Sequence, residues 1–221
     1  MMTSWIVLQL ADSAFPTGGF AHSAGLEACI QAGEIRTATD VERFAAELVE
    51  QLAHGSLPLV AAVHDDDTRL AEVDALARTM LWSHVAARAS RAQGRALLDV
   101  AARSFKHPAL VEARAALARA PLEGHLAPAY GFVTRTLGVE RDEALATFLH
   151  LGARGALSAA VRLGAIGPTE SQAMHLRLHP VLDAALASAR TLTLDEISQP
   201  SPIVELIQTT QDRLYSRLFQ S

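Results

Sequence analysis

Cysteine is almost missing from this 221-residue sequence. Cys29 stands alone, which excludes an internal disulfide and any multi-cysteine zinc or iron–sulfur site. Lysine is as scarce, with Lys106 beside eighteen arginines, and aromatic residues make up only 5%. Positive charge is also short: 19 Lys+Arg against 24 Asp+Glu leave −5 at pH 7. Such a chain lacks the broad positive field of a nonspecific nucleic-acid binder, so no nucleic-acid partner is expected. No uninterrupted apolar run approaches the roughly 18–20 residues of a bilayer span, which predicts no membrane association. The Met1–Leu10 stretch is apolar at Trp5-Ile6-Val7-Leu8 but has neither a basic leader nor a small-residue cleavage site, which predicts a cytoplasmic protein. Enzyme signatures are missing too. Thr17-Gly18-Gly19 is not followed by Gly-Lys-Ser/Thr, and there is no Gly-x-Ser-x-Gly elbow or His-Glu-x-x-His.

What is present is helical. Half the residues are hydrophobic, 42 are alanine, and the mean hydropathy is +0.18. A chain of this size buries roughly 70–75% of its extended surface, and the apolar excess points to a partner-facing surface. Thr39 and Glu42 have the spacing of a capping box, with Val41, Phe44, Leu48 and Leu52 on one stripe behind them. Asp65-Asp66-Asp67 supplies negative charge for a helix N-terminus. A second stripe follows at Leu70, Val73, Leu76, Ala77, Met80 and Leu81. Pro108 and Pro168 suit first turns, the latter with Thr169 three residues before Gln172. Gly33, Gly138 and Gly164 suit C-terminal stops. Strand signals are nearly absent. The expectation is an all-α, single-domain helical bundle of about eight to ten helices spanning residues 1–221. Within it, 191–202 forms a loop and 191–221 as a whole leads into a C-terminal tail.

Three blocks concentrate the chemistry. In the first, Asp12, Ser13, His22 and Ser23 stand near Pro16 and Gly18-Gly19, a turn signal that predicts a helix from about Phe20 to Ala32. Gly25 inside that helix would admit a close neighbour. The four polar residues fit either a small acid–base or nucleophilic site, hence a small helical hydrolase or lyase, or local turn and cap bonds. In the second, Arg88, Arg91 and Arg95 share one helix face, either solvated or turned to an acidic partner or a phosphate. Gly94 beside them suggests close backbone packing. In the third, Leu214, Tyr215, Leu218 and Phe219 form a helical apolar group at the end of the chain, which either docks on its own bundle or anchors another protein. His175 and His179, four apart, have the spacing of two metal ligands without a third, and Pro180 beside them equally suits a helix end.

Together these blocks resemble the UreF family of urease accessory proteins. The likeness runs through Gln9–Glu27, through Arg88-x-Ser90-x-x-Gln93-Gly94, and through Tyr215-Ser216-Arg217-Leu218-Phe219-x-Ser221. Gly124-His125-x-x-Pro128-x-x-Gly131 and Ala159–Leu163 add to it, in order over the full length. Two departures stand out. Ala24 replaces a glycine of the family pattern, and Gln211 replaces a histidine. The resemblance implies a non-enzymatic, all-α nickel-delivery chaperone that forms a homodimer. It also implies partners: a UreD/UreH-type accessory protein, the GTPase UreG and apo-urease. The chain would then have no tightly bound cofactor of its own, nickel passing through the complex while UreG hydrolyses GTP. It further implies partner surfaces at Asp12, Ser13, Pro16, Gly19, Phe20, His22, Ser23, Glu27, Arg88, Arg91, Arg95, Tyr215, Arg217, Leu218 and Phe219.

Overall fold

The computed structural model describes residues 5–119 and 122–221; Met1–Ser4 of the apolar N-terminal stretch lie outside the described residues. Twelve α-helices occur among those described: α1 (Trp5–Ala11), α2 (Leu26–Gln31), α3 (Ala38–Gly55), α4 (Leu57–Asp65), α5 (Leu70–Met80), α6 (His84–Phe105), α7 (Pro108–Ala116), α8 (Leu126–Thr136), α9 (Arg141–Arg162), α10 (Pro168–Arg177), α11 (His179–Ala189) and α12 (Pro202–Gln208). No strand occurs among the described residues. The nine helices of nine residues or more match the eight to ten that the periodicity predicts; α1, α2 and α12 are too short for a periodic signal.

Local rules held where they needed only near neighbours. Pro108 and Pro168 open α7 and α10, and Gly33, Gly138 and Gly164 stop α2, α8 and α9 with φ of 77°, 71° and 72°. The capping box stands two residues earlier than the spacing suggests. Thr37 and Asp40 exchange the bonds, Asp40 N donating to Thr37 Oγ1 and Thr37 N to Asp40 Oδ2. Asp66, not the whole acidic triplet, caps the turn before α5, while Asp65 ends α4. Thr169 lies inside α10, whose N-cap is Gly167. The 191–202 loop contains one 3-10 turn, Leu194–Glu196, capped by Thr193.

Two apolar clusters form the core. The larger joins α4, α6, α8 and the first half of α9 through residues such as Val60, Leu97, Val133 and Leu145. The smaller joins α2, the start of α3, the end of α9 and α10 through Leu26, Val41, Phe44, Leu157 and Met174, and Phe219 of the tail completes it. By length and mean hydropathy alone α9 is apolar enough to cross a bilayer, which a search for uninterrupted runs passes over. Its buried residues instead supply both clusters. Cys29 is buried in the smaller cluster, and burial, then Glu34 and Glu47, pushes its thiol up to about 11, so it is not a ready nucleophile at neutral pH.

Candidate functional site

The Arg88–Arg95 block explains itself once α6 is placed. Gly94 faces the backbone of the loop before α8: a Cβ there would lie 2.3 Å from the Gly124 carbonyl oxygen and 2.6 Å from the His125 carbonyl carbon. Only a residue without a side chain fits. One turn earlier on α6, Ser90 Oγ accepts from Leu126 N at 3.0 Å and lies 3.2 Å from His125 Nδ1. The same loop is gripped from the other side by Asp74 of α5, only 2% exposed. Its carboxylate accepts from the backbone nitrogens of Glu123, Gly124 and His125 at 2.6, 3.1 and 2.7 Å. Sequence reasoning missed Asp74, because a charged residue inside a helical pattern carries no sign of a partner some fifty positions away. The three arginines do not act as one stripe. Arg91 reaches Glu123 Oε2 and Arg95 donates to the Glu123 carbonyl at 2.6 Å, so both brace the loop. Arg88 alone turns to the tail.

The predicted helix from Phe20 to Ala32 does not form. A 3-10 turn covers Gly19–Ala21, the chain then reverses, and α2 starts only at Leu26. Ala24 (φ 54°) and Gly25 (φ 91°) are both left-handed, a pairing that breaks any helix through them. Gly25 is therefore needed for its backbone conformation, and a Cβ on it would also lie 3.2 Å from Gln208 Cβ of α12. The reversal turns Ser23 and Glu27 inward.

The tail is not helical either: beyond a 3-10 turn at Gln211–Arg213 it runs irregularly to Ser221. Backbone bonds elsewhere in the fold take the place of helical ones. Glu27, 3% exposed, is the hub. Its Oε1 accepts from Leu218 N at 2.7 Å, and its Oε2 accepts from Phe219 N at 3.1 Å and from Gln211 Nε2 at 2.7 Å. Gln211 also donates to the Phe219 carbonyl at 3.2 Å. Ser23 donates to the Ser221 carbonyl from its backbone at 2.6 Å and from its hydroxyl at 2.7 Å. Gln220 N donates to the Ala21 carbonyl at 2.8 Å, and His22 Nδ1 lies 2.8 Å from Ser221 Oγ. Burial, then the Arg88 charge, lowers the pKa of His22, which favours the neutral ring.

A second clamp lies outside. Arg88 holds Asp212 in a two-bond fork at 2.7 and 2.9 Å and reaches the Gln220 carbonyl, while Arg217 adds a third contact to Asp212 at 3.2 Å. The Arg88 hydrogen bonds, with smaller help from His84, hold the Asp212 carboxyl down at about 2. Because its folded value is depressed, this contribution is present above the ordinary 3.8 and is lost as pH falls from there towards 2. Asp212 is one-third exposed, so Asp212→Asn should weaken tail docking by less than about 1 kcal/mol. Hydrogen exchange over 211–221 at pH 7 and pH 3 measures it, and a wild-type tail equally protected at both would contradict it.

Arg162, at the end of α9, lies 4.4 Å over the Phe219 ring and 6.0 Å from that of Phe20, and it also donates to the Phe20 carbonyl. Large apolar side chains stay outward among the exposed polar ones. Tyr215 is fully exposed, Phe20 76% and Leu218 51%. Leu218 lines a 470 Å³ groove together with Arg88, Asp212, Arg217, Phe219 and Gln220.

The other proposed positions separate from this group. Asp12 Oδ1 accepts from Ala14 N at 2.7 Å, closing a turn. Ser13 and Pro16 are exposed in that turn, and Gly19 packs near Gln93 of α6. No hydrogen bond joins Asp12 or Ser13 to His22 or Ser23 among the described residues, so the four do not assemble as the hydrolase alternative requires. His175 and His179 are on different helices, α10 and α11, although their rings touch.

Fold and site together define a helical protein that presents an exposed apolar rim beside a shallow groove. A family model described as UreF matches residues 35–179, and the chain belongs to the UreF family. Urease accessory protein F of Arabidopsis thaliana is 34% identical over 98% of this chain and 92% of its own length. Urease accessory protein F of Oryza sativa subsp. indica is 30% identical over 97% and 84%. Urease accessory protein UreF of Arthrobacter sp. strain FB24 is 31% identical over 96% and 95%.

Proposed function

We propose that this chain serves urease maturation as a cytoplasmic, non-catalytic docking subunit. In this reading a homodimer of it binds a UreD/UreH-type accessory protein and the GTPase UreG, and the assembly inserts nickel into apo-urease at the expense of GTP. Nickel is the cargo of that complex, and the chain serves it either as a scaffold that aligns UreG or as a gate on hydrolysis by UreG. The observation that carries the reading is the rim of Phe20, Tyr215 and Leu218. Two ends of the chain, some two hundred residues apart, are fastened together by buried polar bonds while their large apolar side chains stay in water. Large exposed aromatic and aliphatic side chains held in place in this way are what a protein partner covers.

Truncating the tail is a poor test, since it removes Phe219 from the core and three donors from Glu27. Tyr215→Asp changes a fully exposed side chain, so its unfolding free energy should stay within about 0.5 kcal/mol, while Leu218→Asp, at a half-exposed position whose backbone nitrogen donates to Glu27, should lose about 1 kcal/mol. Light scattering after size-exclusion chromatography, with UreD-type and UreG proteins added, should show the ternary complex for wild type and its loss for both variants. Urease activation in cells should fall at least about tenfold, the equivalent of about 1.4 kcal/mol of binding. Unchanged assembly by both variants would remove the rim from the interface.

A further inference from the structure

Three imidazoles meet where α9, α10 and α11 come together, in a part of the fold that the tail site does not use. His150 of α9 packs edge-to-face on His175 of α10, with ring centroids 5.0 Å apart and planes at 89°. His175 meets His179, the first residue of α11, at 5.7 Å and 87°. The His175 Nε2 is buried and has no hydrogen-bond partner. No group of three His, Cys, Asp or Glu among the described residues is arranged to hold a metal ion. The nearby fixed charge is also of the wrong sign for one: Arg154, one turn beyond His150 on α9, acts on both His150 and His175. Its guanidinium is tethered to the Ala11 carbonyl at the end of α1.

We propose that the His150–His175 pair, against which the exposed His179 ring rests, is a proton-sensitive joint, which fastens α10 and α11 to α9 when the pair is neutral and releases them when it is protonated. Neutral rings pack favourably edge to face. Protonated His150 and His175 rings, 5.0 Å apart, repel each other and Arg154 in a partly desolvated place. Among the described residues no carboxylate acts on the rings of His150 or His175. α3, which packs on both α9 and α11, contributes no group that acts on the rings of His150 or His175. Asp183 of α11, which borders a 220 Å³ cavity with His179, acts on neither. Burial first, and the neighbouring cations after it, hold His150 and His175 below the ordinary 6.5. As pH falls through 6.5 the opened form therefore takes up protons before the closed one, and the closed form loses ground. This behaviour is independent of the urease reading.

The test is amide exchange on the full-length chain at pH 7.5 and 5.5, expressed as protection factors so that the intrinsic pH dependence divides out. Protection over Pro168–Arg177 and His179–Ala189 should drop about tenfold more than over Leu57–Asp65 and His84–Phe105. His150→Gln and His175→Gln should each remove most of that difference. An equal drop in all four segments would overturn the joint, as would a difference that survives in both variants. If a variant does not fold, ring titration of the wild type by NMR decides. Midpoints of His150 and His175 below 6.5 that coincide with the loss of protection support the joint, and midpoints that do not coincide overturn it.

Discussion

Glu27→Ala should free the tail. Three donors, the backbone nitrogens of Leu218 and Phe219 and the amide of Gln211, lose their acceptor together. Each buried donor left unpaired costs about 1–3 kcal/mol. The sum is not reached, because a terminal segment escapes into water and its amides find solvent there. The loss is then capped near the docking energy of the tail, about 2–4 kcal/mol, much of it the burial of Phe219. Urea unfolding gives the magnitude, and limited proteolysis after Thr210 gives the place: the variant should be cut there while wild type resists. Glu27→Gln, which keeps one acceptor oxygen, should fall between them. With the tail loose, Tyr215 and Leu218 lose their position relative to Phe20, so assembly with partners should fail as well. A Glu27→Ala protein whose tail still resists protease would show that the Ser23–Ser221 bonds, the Arg88–Asp212 clamp and Phe219 packing suffice to hold it.

Gly94→Ala is expected to be as damaging for a different reason. The added methyl meets backbone, the Gly124 carbonyl oxygen at 2.3 Å, and backbone cannot swing aside as a side-chain end can. Either α6 moves from the loop, breaking the Ser90 bonds and straining the Asp74 grip, or the loop shifts and carries α8 with it. A loss of at least about 3 kcal/mol is the expected outcome in urea unfolding. Gly155 of α9 is the control: a Cβ there meets nothing within 4 Å, so Gly155→Ala should gain up to about 1 kcal/mol of helix propensity. Similar midpoints for the two variants would contradict the packing account of the Arg88–Gly94 motif.

The histidine and arginine groupings show how far spacing reaches. His175 and His179 do meet, as four-residue spacing suggests, yet across a break between helices, and the third ring comes from His150, 25 positions earlier. Arg88, Arg91 and Arg95 do lie on one helix, as their spacing requires. Their separate duties, one to Asp212 and two to Glu123, depend on which loop each meets.

The sequence by itself determined the helical class, most of the long helices and the proline and glycine boundaries around them. Those features rest on contacts three or four residues apart, which any window of the chain contains. It also marked the three blocks that belong together, through their likeness to a known family. Only the tertiary structure decided that Phe20–Gly25 reverses and does not continue as helix, because Ser23 and Glu27 gain buried partners from Gln211, Leu218, Phe219 and Ser221 that outweigh local propensity. It decided likewise that the tail runs irregularly and not as a helix. A helix there would satisfy the tail amides within the tail itself, whereas a carboxylate nearly two hundred residues away holds Leu218 and Phe219 and leaves Tyr215 facing outward. Buried polar partners that far apart leave no period in a sequence, so their pairing is settled only when the core closes around them.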